Sequence, residues 1–176
     1  MSDLIIITYD GQQTGFDALN KLGELQKLQL ITLADAAVAT KDQKGKVKVK
    51  QTLENQVTGS AALWGGFWGL LIGMFFLFPL AWGIAGALFG ALGGKLADIG
   101  IDNKMIKEVG NSLQPGGSAL FIMVVEATTD KVLDEMKKFG GHVYQTSLSK
   151  EDEEKLKAVL SHEEVAPATE EALELE

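Results

Sequence analysis

One stretch of this sequence decides the architecture: residues 55–94, NQVTGSAALWGGFWGLLIGMFFLFPLAWGIAGALFGALGG, contain no charged side chain. These forty residues hold ten of the twenty glycines, all three tryptophans and five of the eight phenylalanines. A membrane-spanning helix needs about 20 apolar residues, so forty are enough for two short spans. Pro79 stands near the middle, and proline disfavours helix at the residue before it. We therefore predict a helical hairpin with helices at 60–78 and 80–95.

Small residues recur at every fourth position in both predicted helices. The glycine arrays are Gly65, Gly69 and Gly73 in the first helix and Gly86, Gly90 and Gly94 in the second. A further stripe in the second helix consists of Gly83, Ala87 and Ala91. In lipid, such stripes let helix backbones approach closely and associate. One stripe can pack the other helix of the hairpin while the second meets a neighbouring subunit, which predicts a homo-oligomer. The alternative is that the glycines pack a single intramolecular hairpin.

The tryptophans are placed near the ends of the predicted helices. Trp64 and Trp68 lie one turn apart near the start of the first helix, and Trp82 lies just past the turn. Tryptophan concentrates at membrane–water interfaces, so we predict that these three side chains lie there. The alternative interpretation is that they pack in a protein core.

The flanking regions each have the pattern strand, helix, strand. In the first, the apolar run 4–7 precedes a helix with Phe16, Leu19, Leu22 and Leu25 at spacing three, and a second strand covers 30–40. Alternating lysine and valine at 46–50 add an edge strand through a turn at 42–45. In the second, the strand 119–125 precedes a helix that Thr129 and Asp130 begin and Gly140 and Gly141 end, followed by a strand at 142–147.

This repetition predicts an α+β protein: a ferredoxin-like split βαβ sheet domain with an inserted Gly-rich transmembrane helical hairpin. The expected segments are 1–54 for the first half and its edge strand, and 55–95 for the hairpin. Residues 96–160 supply a connecting helix begun by Asp102, the second half and a C-terminal helix with a capping box at Ser149 and Asp152. Residues 161–176 form an acidic tail, which we predict to be disordered.

A shared sheet constrains the path of the chain. If both halves contribute to one sheet, the stretch between them crosses a membrane an even number of times, or enters and returns. A single kinked span is the alternative. Lysines flank the hairpin on both sides, at 41, 44, 46, 48 and 50 and at 95, 104 and 107. By the positive-inside rule, we expect both termini and the α+β domain in the cytoplasm of a bacterial cell, at the inner membrane.

Composition and motifs favour no catalytic chemistry. The chain has no cysteine and no arginine, and its formal net charge is −8, so a thiolate site and a nucleic-acid partner are not expected. The two histidines, His142 and His162, lack metal-ligand spacing, and no phosphate-binding pattern follows the turn at Asp10 and Gly11. We predict no catalytic, cofactor or metal residues.

The glycine-rich hairpin between two βαβ halves, with LIIITYD at 4–10, resembles a bacterial family of membrane proteins, domain of unknown function 1269. The resemblance covers about residues 3–160 and implies membrane association without a known activity. We predict a non-enzymatic anchored protein that self-associates and displays its cytoplasmic domain. The alternatives are a channel or permeability factor, a soluble or lipid-containing assembly that buries the hairpins, and, last, an enzyme. Expected partners are membrane lipid, further copies of the chain and an unidentified protein that binds the cytoplasmic domain.

Overall fold

The chain forms a five-stranded sheet with helices on both faces. The computed structural model describes residues 1–51, 68–69, 71–76, 98, 100–101, 103–152 and 154–155. The strands are β1 (Ser2–Tyr9), β2 (Leu33–Lys41), β3 (Val47–Gln51), β4 (Ser118–Val125) and β5 (His142–Leu148). The described residues include the helices α1 (Gln12–Lys27), α2 (Asn103–Ser112) and α3 (Thr129–Met136), and 3₁₀ turns at Glu126–Thr128 and Lys137–Phe139 flank α3.

The sheet is antiparallel throughout, with strand order β3-β2-β4-β1-β5. Strand β4 lies between β1 and β2, and β1 lies between β4 and β5, so the two βαβ halves interleave as in a split βαβ fold. The predicted α+β class is therefore confirmed. Strands from before and after the uncharged stretch belong to the same sheet.

The first face of the sheet is covered by α1 and α3. The central strands β1 and β4 are almost continuously apolar. Such runs are typical of strands whose two faces are both buried. The core on this face combines alternate strand residues with the apolar stripes of the two helices. Its members include Ile5, Ile7, Leu19, Leu22, Leu120, Ile122, Val132 and Met136.

The second face is covered by α2 and by helical residues at 68–69 and 71–76, which we call the 68–76 segment. This segment belongs to the first helix of the predicted hairpin. The strands contribute the other alternation, including Leu4, Ile6, Ala37, Phe121 and Met123. The rest of the predicted hairpin lies outside the described residues.

Several local sequence signals are confirmed at the ends of elements. Ser149 and Asp152 form the reciprocal pair of a capping box: the N–H of Ser149 donates to Asp152 Oδ2 at 3.2 Å, and the N–H of Asp152 donates to Ser149 Oγ at 3.1 Å. Gly140 and Gly141 both have positive φ and end the α3 region, as predicted. The β2–β3 turn is organised by Asp42, whose Oδ1 accepts the N–H groups of Lys46 and Lys44. These bonds lower the pKa of the Asp42 carboxyl, and the bond from Lys46 has the larger effect.

One boundary and one capping contact differ from the sequence predictions, although α3 begins at Thr129 as predicted. Strand β2 begins at Leu33 and not at residue 30, because the chain at 28–30 completes the end of α1. The Thr129 hydroxyl does not cap α3; it donates to Asp3 Oδ2 at 2.6 Å. Asp3 is buried in β1, and its other oxygen accepts the Ser147 hydroxyl at 2.6 Å. A buried carboxylate needs such donors, so this demand decides where the Thr129 hydroxyl points.

Candidate functional site

The 68–76 segment is attached to the sheet through large apolar side chains. Trp68, Leu71, Ile72 and Phe75 are completely buried. The rings of Trp68, Phe75 and Phe76 meet Phe121 of β4 edge-on, with ring centroids 6.3, 5.7 and 6.1 Å away. Edge-to-face pairs contribute about 0.5–1.5 kcal/mol each beyond their buried area, so this aromatic cluster is a strong attachment.

One polar contact accompanies the aromatic cluster. The indole N–H of Trp68 donates to Asp35 Oδ2, and the backbone N–H of Ala36 donates to Asp35 Oδ1 at 2.7 Å. A buried indole usually finds a hydrogen-bond partner, and a carboxylate is a strong one. The Asp35 carboxylate therefore fixes the position of Trp68 on the second face.

A β-bulge in β2 places Asp35 on that face. The pairing of β2 with β4 shifts between Leu33 and Asp35, because Leu33 lies opposite Val124 and Asp35 lies opposite Met123. The extra residue, Ala34, reverses the alternation of side chains along β2. Leu33 thus joins the first-face core, while Asp35 shares the second face with Ala37 and Ala39.

Sequence reasoning did not single out Asp35. The available signal was a lone carboxylate inside a mostly apolar strand, LADAAVATK. Such a residue marks either a bulge or a polar partner, and here the structure has both.

Trp68 packs in a protein core, which was the alternative interpretation of the tryptophans. Gly69 and Gly73 are partly exposed. Within the described part of the chain, a Cβ added to Gly69 meets no atom within 4 Å. The remaining candidate residues lie outside the described residues: Gly65, Gly83, Gly86, Ala87, Gly90, Ala91, Gly94, Trp64 and Trp82.

Two further properties of the described residues bear on function. They contain no helix that combines the length and the apolar character needed to cross a membrane. They also contain no group of three or more histidine, cysteine, aspartate or glutamate side chains arranged to hold a metal ion. Asp3 ties β1 to α3 and β5 by accepting the hydroxyls of Thr129 and Ser147.

Comparison with known families gives one match. A family profile described as "Protein of unknown function (DUF1269)" matches residues 62–161. The matched residues make up more than half of the chain. The chain belongs to this family. No curated protein and no solved structure matches the chain significantly.

The DUF1269 match is shorter than the resemblance expected from the sequence. It begins at residue 62, not at about residue 3, so β1, α1, β2 and β3 precede it. The matched part contains the 68–76 segment, α2, β4, α3 and β5. Because β4 pairs with β1 and β2, the family region in this chain completes its sheet with strands from outside the match.

Proposed function

We propose that this chain is a non-enzymatic, membrane-anchored protein that self-associates through glycine-rich helices and displays its α+β domain in the cytoplasm. The observation that carries the proposal is the position of the uncharged stretch 55–94 between strands of one sheet. Because β3 before it and β4 after it belong to the same domain, the stretch leaves and rejoins that domain on one side of a bilayer. Lysines flank the stretch at both ends, which favours the cytoplasmic side.

The attachment of the 68–76 segment to the sheet supports one kind of anchor over another. With 68–76 on the sheet, the uncharged residues that remain are 55–67, thirteen residues, and 77–94, eighteen residues. A spanning helix takes about 17–25 residues, whereas an apolar run of about 10–14 is typical of re-entrant or interfacial segments. Too few uncharged residues remain for two complete spans. We therefore favour an anchor that enters the bilayer and returns to the same side without crossing it.

The glycine positions support self-association. Gly69 and Gly73 are partly exposed while the bulky side chains of the same segment are buried on the sheet. A helix held in this way keeps its small-residue side available to another helix backbone. The stripe of Gly83, Ala87 and Ala91 would supply a second such surface.

A second candidate function is favoured by the burial of Trp68, Leu71, Ile72 and Phe75 against the sheet. In this arrangement the chain forms an assembly that buries its hairpins among protein surfaces, with or without lipid inside. The aromatic cluster around Phe121 would be the start of that shared apolar interior.

Fractionation separates the two functions. An anchored protein should sediment with membranes, resist carbonate extraction and show an oligomeric native mass in mild detergent. A closed assembly should appear in the soluble fraction at oligomeric mass without detergent or lipid. Recovery as a soluble monomer would overturn both.

A further inference from the structure

Exposed apolar side chains are concentrated at one end of the sheet. The described residues include five large hydrophobic side chains with high exposure, and three of them are Met1 at 59%, Leu28 at 67% and Leu30 at 50%. Backbone bonds show that they share one end: the carbonyl of Met1 accepts from Glu126 N–H, and the carbonyl of Thr32 accepts from Val125 N–H. The starts of β1 and β2 and the end of β4 therefore meet there. We call Met1, Leu28 and Leu30 the apolar end.

The two leucines are held outward by a defined turn. Leu30 N–H donates to the carbonyl of Leu25 at 2.9 Å, and Gln29 N–H donates to that of Gln26 at 3.0 Å. This is the bonding of a Schellman motif, with Gln29 in the left-handed region at φ 57°, where glycine is usual. The leucines on either side of Gln29 thus project from an ordered turn.

The described residues on either side of the uncharged stretch, Gln51 and Gly100, relate it to the same end of the sheet. Strand β3 runs antiparallel to β2 and ends at Gln51, opposite Ala37, so β3 runs toward the Leu33 end of the sheet. After the uncharged stretch, the carbonyl of Gly100 accepts a hydrogen bond from the Thr146 hydroxyl at 3.0 Å. Thr146 lies opposite Leu4, close to the start of β1.

We propose that the apolar end is a lipid-contact surface, at which Met1, Leu28 and Leu30 enter the interface of a phospholipid bilayer. This inference rests on the proposed membrane anchor, because the anchor would hold this end of the domain at the bilayer. Exposed leucines lower their free energy by leaving water for the headgroup and acyl boundary. Glu126 and Lys27 also belong to the elements at this end, one charge of each sign, so we expect the attraction to be apolar and not to require anionic lipid.

The absence of cysteine allows a direct test on the full-length chain. Leu28→Cys and Leu30→Cys are each labelled with an environment-sensitive fluorophore and reconstituted into phosphatidylcholine vesicles. The matched control is Val143→Cys, because Val143 is 44% exposed and lies opposite Ile7, toward the other end of the sheet. Unchanged urea midpoints would show that the labelled variants fold.

We expect labels at positions 28 and 30 to shift to shorter emission wavelength with vesicles and to be quenched by headgroup nitroxide lipids. The label at 143 should show neither change. Phosphatidylglycerol vesicles should give the same result as phosphatidylcholine, since the contact is apolar.

The outcomes separate this inference from the anchor itself. Vesicle-bound protein with water-exposed labels at 28 and 30 would overturn the lipid-contact surface and leave the anchor intact. Protein that does not bind vesicles would overturn the anchor and, with it, this inference. A third outcome is that the labels are shielded from water to the same extent without lipid, in protein of oligomeric native mass. This result would assign the apolar end to a contact between copies of the chain and overturn the lipid assignment.

Discussion

Tyr9, the last residue of β1, has a buried hydroxyl that meets no hydrogen-bond partner among the described residues. Its ring lies against Gly141, where φ is 91° and an added Cβ would stand 2.8 Å from Tyr9 Cδ1. Burial raises the pKa of the Tyr9 phenol above its ordinary value. The ring contributes to packing, whereas the hydroxyl carries a desolvation cost.

Replacing Tyr9 by phenylalanine should therefore increase the free energy of unfolding at neutral pH, by up to about 1 kcal/mol. The difference should grow in alkali. Above about pH 10 the unfolded state releases the phenol proton while the folded state keeps it, so the parent protein loses stability as pH rises. Tyr9→Phe lacks this loss, and urea unfolding at neutral pH and at about pH 11 would measure both effects.

The control for this change is Tyr144→Phe, since Tyr144 is partly exposed and is the only other tyrosine. That variant retains Tyr9 and should follow the parent protein in alkali. An equal alkaline loss of stability in Tyr9→Phe and the parent would contradict the role assigned to the buried phenol.

At the scale of elements, the attachment of the 68–76 segment depends on matching two features from distant parts of the chain. The segment supplies Trp68, while β2 supplies Asp35 through its bulge. Phe121 of β4 lies among the three aromatic rings of the segment. The segment is thus bound by a specific polar contact as well as by apolar area.

A double-mutant cycle would measure this polar contact. Trp68→Phe and Asp35→Ala should each lower the free energy of unfolding, by about 1–3 kcal/mol, because the first leaves the half-buried carboxylate and the second leaves the buried indole N–H without this partner. The double variant should lose less than the sum of the two, by at least about 0.5 kcal/mol. Urea unfolding followed by circular dichroism gives all four values.

Phe75→Leu is the matched control, since it reduces the ring cluster without removing a hydrogen bond. Its effect should add to that of Asp35→Ala. If Trp68→Phe and Asp35→Ala are also additive, the indole–carboxylate bond does not hold the segment.

At the scale of the whole molecule, the small-residue stripes distinguish assembly from simple anchoring. Ala87→Leu places a large side chain on the stripe that we assign to a neighbouring subunit, and lost close packing weakens association directly in lipid. We expect a lower native mass in mild detergent, with membrane insertion and the unfolding of the α+β domain unchanged.

Gly69→Leu is the companion variant. No described atom would meet its Cβ within 4 Å, so the α+β domain should keep its stability. A lower folded yield would then report packing of Gly69 against the second hairpin helix. Unchanged mass and yield in both variants would refute the glycine stripes as packing surfaces, while an unchanged mass with altered ion leakage in Ala87→Leu would support a pore.

Much of the sheet domain could be predicted from local patterns in the sequence. Continuous apolar runs predicted β1 and β4, and the repeated strand–helix–strand pattern predicted two interleaved halves. Local features could also be predicted, because they depend on residues that are close in sequence. They are the capping box at Ser149 and Asp152 and the paired glycines at 140 and 141.

Only the tertiary structure decided what the apolar face of the 68–76 segment meets. An uncharged apolar helix has the same sequence pattern whether lipid or a sheet covers it, so its partner depends on surfaces supplied elsewhere in the chain. The bulge that brings Asp35 to Trp68, and the buried Asp3 that takes the Thr129 hydroxyl, likewise involve partners between about 30 and 130 positions apart. The sequence by itself determined the elements and their class, whereas contacts between residues distant in the chain determined how the two faces of the sheet were covered.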